Sequence, residues 1–410
     1  MSSDALTAAE VAARAGVDAA DVERMAELGL CTPGGDGFGV GDVRRVLLAV
    51  ACERAGLPMD AIAESVRERR LSFAFLDAPV YRRWAERSTR TYREVAEEAG
   101  VPFASMRATF EAMGFAPMAA DDRIREDEQE IVPLIQLSFA TGVMDEQWFV
   151  RLGRAYADGI RRLCQAENEV YHERFERPLL DQGKTQAEAM ETASEMAGEF
   201  NVLVDRTLIA MVRRQQELQW TEHLVEHIED DLERSGRLGR AERLPAMAFV
   251  DLAGYTRLTE ERGDAAAAQA ASVFAGIVEQ EARTRGGTPV KWLGDGVMVA
   301  FREAGGAVGA ALRLVEAVPV AGLPPAHVGI AAGRVVAYAG DYFGRTVNMA
   351  ARLSAHASAG RVLVNEPTVD ALRDDGGLRF TELGSLELKG FAEPVRVFEA
   401  STNEAIAGGG

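Results

Sequence analysis

Apolar positions along this chain keep two different periods, and the change falls near Pro245. Over residues 6–30, LTAAEVAARAGVDAADVERMAELGL, they recur at three- and four-residue spacing around Gly16, which predicts helix, turn, helix. Thr7 followed by Glu10 has the pattern of a capping box. The loop CTPGGDGFG comes next, then helical spacing around 43–54 and 59–69. The same pattern returns over 91–115. There Glu94-Val95-Ala96 stands for Glu10-Val11-Ala12, Ala99-Gly100-Val101 for Ala15-Gly16-Val17, and Gly114 for Gly29, one residue out of step. AGLPMD after the first unit is echoed by TGVMDE after the second. Two units are too few for a solenoid and predict duplication into a compact helical lobe.

From 128 to 231 the spacing is helical throughout, with Pro133, Pro178 and Gly183 as the main interruptions. Near its end Val204, Met211, Leu218, Val225 and Leu232 recur every seven residues. Such a seam suits a parallel helix pair across a dimer axis; the alternative is a stripe packed on its own lobe. GRLGRAERLPA, at 236–246, reads as a joint. Beyond it the pattern predicts strands at 246–251, 289–293, 297–301, 327–332, 335–339 and 361–364, and a last one at 395–399. Helices are expected at 264–285, 305–316 and 346–357, with a short one before the final strands. Strands alternating with helices, several joined by hairpins, predict a ferredoxin-like α+β sandwich preceded by an all-α region. The expected layout is 1–75 helix-turn-helix module, 76–235 helical domain with a dimerising linker helix, 236–245 joint, 246–400 α+β domain and 401–410 disordered tail.

At 410 residues, 47% hydrophobic and 27% charged, the chain can bury more than one core. Net charge is −19, and residues 1–240 carry 29 basic and 44 acidic groups against 16 and 20 in 241–410. The N-terminal part therefore repels phosphate backbones unless a basic face is segregated, so a nucleic-acid partner is not expected. Cys31, Cys52 and Cys164 have neither metal nor redox spacing and are expected as buried small hydrophobes. No stretch approaches a transmembrane span and the N-terminus has no signal-peptide pattern, which points to the cytoplasm.

Chemistry concentrates after the joint. Asp251 ends the apolar run AMAFVD, and Asp295 sits in Gly294-Asp295-Gly296, the tight turn of a predicted hairpin. Two carboxylates at adjacent strand ends can hold one or two Mg²⁺ or Mn²⁺ ions, which take oxygen ligands and share substrate phosphates. The loop after Asp251 (Leu252, Ala253, Gly254, Tyr255 and Thr256) leads towards a helix and could offer backbone N–H groups to phosphate. Lys291 lies four residues before Asp295 and is one of only three lysines, with Lys184 and Lys389. In GDYFGRTVNMAAR, Asn348 and Arg352 are i, i+4 on one helix face and Asp341 precedes that helix. His223 and His227 stand one helical turn apart among acids, as solvated surface residues, a metal pair without a third ligand, or a pH-sensitive point.

The stretches FVDLAGYT, VKWLGDGVMVAF and GDYFGRTVNMAARL closely resemble class III nucleotidyl cyclases, across 246–400. The resemblance implies conversion of ATP to 3′,5′-cyclic AMP and pyrophosphate with two Mg²⁺ or Mn²⁺ ions per site. It matches Asp251 and Asp295 to the metal ligands, Lys291 and Asp341 to the adenine-selecting pair, Asn348 to the ribose-orienting amide and Arg352 to the α-phosphate arginine. Guanylyl cyclases typically carry Glu and Cys at the selecting positions. Lys389, in ELKGF, matches a lysine on the terminal phosphates. The loop before Asp341 is short, so an arginine that some members use there has no counterpart. The resemblance also implies a head-to-tail homodimer whose two sites each draw on both chains. Residues 80–235 look like the helical regulatory domain of certain actinobacterial adenylyl cyclases, implying a regulatory role, with a small molecule or, through His223 and His227, pH as the candidate signals. Residues 5–70 resemble the MerR regulators' N-terminal module, but the second helix, DAADVERM, has three acids against one arginine. A DNA-binding regulator with a nucleotide-sensing cyclase fold and a guanylyl cyclase are the alternatives.

Overall fold

Thr7 and Thr91 open the two halves of the repeat in the same way. Each side chain accepts the N–H of the residue three positions on (Glu10 or Glu94, 3.2 Å), and that glutamate accepts the threonine N–H at 2.7 and 2.8 Å. The computed structural model describes residues 5–31, 33–34, 37–237, 244–338 and 340–403. Helices α1 (Ala8–Ala15) and α2 (Ala19–Glu27) correspond to α5 (Tyr92–Ala99) and α6 (Phe103–Ala112). The chain leaves α1 through Gly16 and α5 through Gly100, at φ of 69° and 65°, a left-handed turn that only glycine adopts without strain. The flanks repeat too. Leu6 bridges Phe38 around the first pair, while β1 (Arg87–Thr91) pairs with β2 (Arg123–Arg125) around the second. After them come α3 (Val40–Arg54) and α4 (Met59–Arg67) in the first unit. The second has α7 (Glu126–Gln129), α8 (Val132–Thr141) and α9 (Glu146–Tyr171). Each unit has its own core, one around Val11, Val22, Met25 and Val46, the other around Val95, Met106, Phe110 and Ile135.

Arg24, the one arginine of α2, is bound by both oxygens of Glu53 at 2.9 Å and by Asp21 at 3.1 Å. Of the cysteines only Cys31 is buried; Cys52 is half-buried and Cys164 exposed on α9, which corrects the expectation of three buried thiols. A π-helical turn (His172–Glu176) and α10 (Arg177–Asp181) lead to α11 (Gln186–Arg234). Pro133 falls in the first turn of α8, where its missing N–H has no partner to lose, while Pro178 lies just past the π-helical turn in a continuous helix. Every residue from 209 to 228 on α11 is exposed, including Met211, Leu218 and Val225, so this stretch of the seam is not packed on its own lobe. Among the described residues no helix is long and apolar enough to cross a membrane.

The chain divides into two units, Met1–Ile228 and Glu229–Gly410; most of the expected joint, residues 238–243, lies outside the described residues. The second unit is built on a seven-stranded sheet ordered β10-β11-β9-β6-β3-β5-β4. Its strands are β3 (Ala246–Leu252), β4 (Gly287–Leu293), β5 (Gly296–Phe301), β6 (Ala326–Ala332), β9 (Val362–Asn365), β10 (Leu378–Leu386) and β11 (Val395–Thr402). With α13 (Asp264–Thr284) and α14 (Ala304–Val320), strands β3 to β6 form the predicted ferredoxin-like unit, in spatial order β6-β3-β5-β4. Alternation assigns the faces. Ala246, Ala248, Val250 and Leu252 pack under α13 and α14, while Met247 and Phe249 pack with α15 (Arg345–His356) on the other side. Strand β11 runs past the expected domain end, because Ser401 and Thr402 pair with Arg379 and Leu378. Residues 401–402 are thus strand, Asn403 is still tied to the Gly377 carbonyl through its N–H, and 404–410 lie outside the described residues.

Candidate active site

Asp251 follows Met247 and Phe249 on the α15 side of β3, so strand register alone points its carboxylate out of the main core. Opposite it in β5 stands Gly296, where a Cβ would come within 2.9 Å of Asp251 Oδ1. That glycine leaves room for the acid. Asp295 arrives from the β4–β5 turn, with its carbonyl accepting the Leu252 N–H at 3.3 Å. Burial first, and then the neighbouring charge of Asp295, hold the Asp251 carboxyl above the usual aspartate range. Two carboxylates kept together against their own repulsion suit a divalent cation. Among the described residues no group of three or more His, Cys, Asp and Glu forms a metal cluster, so substrate oxygens would complete the shell.

His327 is the residue that the motifs missed. It pairs with Asp251 across β3 and β6, places Nε2 3.8 Å from Asp251 Oδ2, and has Nδ1 3.4 Å from Ser354 Oγ on α15. Only its register position could have marked it.

The loop after Asp251 is tighter than expected. The N–H groups of Leu252 and Ala253 are spent on the Asp295 and Pro325 carbonyls. An unexpected helix, α12 (Tyr255–Arg262), begins at once with Gly254 as N-cap at φ 81°. The Tyr255 hydroxyl is tied to the Ala267 carbonyl at 2.8 Å. Of the five loop residues, Gly254, Tyr255 and Thr256 lie at the start of a helix, where backbone N–H groups face an anion.

A β-bulge between Pro289 and Lys291 brings Lys291 opposite Met298. Its Nζ lies 3.1 Å from Asp341 Oδ2, although fifty positions separate the two in sequence. Asp341 opens β8 (Asp341–Phe343), which pairs with β7 (Val336–Tyr338), and its other oxygen accepts the Tyr342 N–H at 2.8 Å. Asn348 and Arg352 share the exposed face of α15, opposite the buried Met349, Ala350 and Leu353. Among the described residues neither side chain makes a hydrogen bond or ion pair. Lys389 is exposed beside the buried Leu388, and next to it Phe391 carries the Arg345 guanidinium at 4.7 Å. The structure thus joins Asp251 with Asp295 and Lys291 with Asp341, while the side chains of Asn348, Arg352 and Lys389 have no hydrogen-bond or ion-pair partner among the described residues.

Residues 244–400 match the family described as the adenylate and guanylate cyclase catalytic domain. An adenylate cyclase of Streptomyces coelicolor is 29% identical over 280 residues, 68% of this chain and 70% of that protein. A pH-sensitive adenylate cyclase of Mycobacterium tuberculosis is 26% identical over 332 residues, 78% of this chain and 79% of that protein. Among solved structures, an adenylate/guanylate cyclase/hydrolase from Silicibacter pomeroyi is 30% identical; the match covers 38% of this chain and 96% of that one, with a TM-score of 0.34.

Proposed function

Residues 244–400 are a class III nucleotidyl cyclase catalytic domain preceded by a largely helical region, and from this we propose that the protein converts ATP to 3′,5′-cyclic AMP and pyrophosphate. The 3′-oxygen of the ribose attacks the α-phosphorus, the 3′-hydroxyl proton is lost, and the bond to pyrophosphate breaks. Asp251 and Asp295 would hold two Mg²⁺ or Mn²⁺ ions. When bound, such ions lower the pKa of the 3′-hydroxyl and neutralise the leaving group. Arg352 meets the charge that develops at the α-phosphate, Asn348 orients the ribose, and Lys389 with the start of α12 takes the other phosphates.

The observation that carries the ATP assignment is the Lys291–Asp341 pair, a donor and an acceptor 3.1 Å apart. Lys291 donates to adenine N1 and Asp341 accepts from the N6 amino group. Guanine presents a donor at N1 and an acceptor at O6, so both protein groups would be mismatched. ATP turnover should exceed GTP turnover by about 100-fold or more. Equal turnover of GTP would refute the base assignment, and no turnover of either nucleotide would refute the enzyme. A K291E/D341C variant should move preference towards GTP.

The working unit is a head-to-tail homodimer with two equivalent sites. Support comes from Asn348 and Arg352, whose side chains have no partner among the described residues, and from the exposed Trp292 and Leu293 on β4, Val336 and Tyr338 on β7 and Phe343 on β8. The solitary stretch 209–228 of α11 adds to it, since a lone helix in water is marginal without a partner. The helical region then regulates by moving the two catalytic domains, in response to a small molecule or to pH. With Arg24 held by Glu53 and Asp21, the first module has no free arginine on α2 for a DNA groove.

A further inference from the structure

On α11, His223 and His227 turn their rings towards each other, with Nε2 atoms 3.1 Å apart, centroids 4.4 Å apart and planes at 85°. Both are exposed. Two imidazole nitrogens at about 2.0–2.1 Å from one metal ion stand about 3 Å apart when they bind side by side. The pair already has that spacing; chelation further needs a proton moved from Nε2 to Nδ1 on one ring and the two rings turned so that both lone pairs meet at one point.

The surroundings favour a cation. Glu222, Glu226, Asp230 and Asp231 lie within a turn, α11 itself carries no Lys or Arg between residues 215 and 233, and Arg302 is taken up by Glu229 at 3.1 Å. At 100° per residue both histidines stand about 160° from Val225, on the side of α11 away from the seven-residue seam. A second chain along that seam would leave the pair open to solvent.

We propose that His223 and His227 form a transition-metal site on α11, taking Cu²⁺, Ni²⁺ or Zn²⁺ through both Nε2 atoms, with water completing the shell. Imidazole selects these ions over Mg²⁺ and Mn²⁺, which keep to oxygen, so the site is chemically separate from the Asp251–Asp295 pair. Because i, i+4 chelation exists only in helix, an ion bound there holds the last turns of α11 in helical form, by linkage.

The test is Cu²⁺ titration of the full-length protein in excess Mg²⁺, followed by electron paramagnetic resonance. The site predicts one ion per chain with two equatorial nitrogens. H223Q/H227Q should lose that signal and at least about 100-fold in affinity, and H227Q alone about 10-fold. H172Q, at the other i, i+4 pair (His172–Glu176), should change nothing, and circular dichroism without metal should match wild type in all variants. An oxygen-only spectrum, or a two-nitrogen signal that survives in H223Q/H227Q, overturns the site.

Discussion

Asp251 is held where an aspartate is uncomfortable: half-exposed, beside Asp295, and opposite a glycine whose missing Cβ makes the room. Its raised pKa makes the protonated form the more compatible one with the metal-free fold. That contribution is full below the ordinary aspartate range and is lost as pH rises through the raised folded value. Thermal melts in a chelator should therefore show Asp251→Asn losing less stability than wild type as pH climbs above the ordinary aspartate range. The variant should also lose at least about 100-fold in cyclase activity, together with the stabilisation wild type gains from Mn²⁺. Gly296→Ala, which crowds the Asp251 oxygen, should weaken Mn²⁺ dependence while ATP still binds. Legibility at this scale was uneven. Asp251, Lys291, Asp295, Asp341, Asn348 and Arg352 stood out because carboxylates, an amide and cations at turns and strand ends have poor packing explanations. His327 did not, because a single histidine in an apolar run carries no pattern until strand pairing sets it beside Asp251.

Glycines and caps decide how the elements meet. A Cβ on Gly329 of β6 would lie 2.0 Å from the Ser354 N and 2.4 Å from the Ala350 carbonyl, so the backbone of α15 rests directly on the strand. Gly329→Ala must push away the helix that carries Asn348 and Arg352. Chemical denaturation should show a loss of about 2 kcal/mol or more, with activity falling further than stability. Thr91→Ala removes a cap of the second repeat and should cost about 1 kcal/mol without touching nucleotide turnover. Thr7→Ala should do the same in the first. The duplication was readable from Thr-x-x-Glu and the Gly-Val turns, since both are local chemistry. Helix α12 was not, because the glycine before it read as loop although YTRLTEER can form a helix. The β7–β8 arm was readable only in outline, since β7 is exposed throughout, β8 is half-buried at Asp341 and Tyr342, and neither keeps an inside–outside alternation.

At the scale of the molecule, charge and exposed apolar surface point in different directions. A net charge of −19 disfavours phosphate backbones, yet Arg352 and Lys389 stand without an acid partner among the described residues. Cations left free in so acidic a chain suit an anionic substrate. The bare length of α11 and the apolar residues around Lys291 suit a second copy of the chain. The residues themselves made the parts of the proposed site legible, whereas its sharing between two chains came only as an implication of the resemblance to class III cyclases, because a contact between chains has no local signature.

Sharing is what the measurement must reach. Asp251→Ala and Arg352→Ala chains, each inactive alone, are mixed in equal amounts, exchanged to equilibrium, and assayed for cyclic AMP with mixed dimers quantified in parallel. Random pairing gives one intact site in half the dimers, so activity should recover to about one quarter of wild type. Mixed dimers that form in that proportion and remain inactive would contradict a site built from two chains.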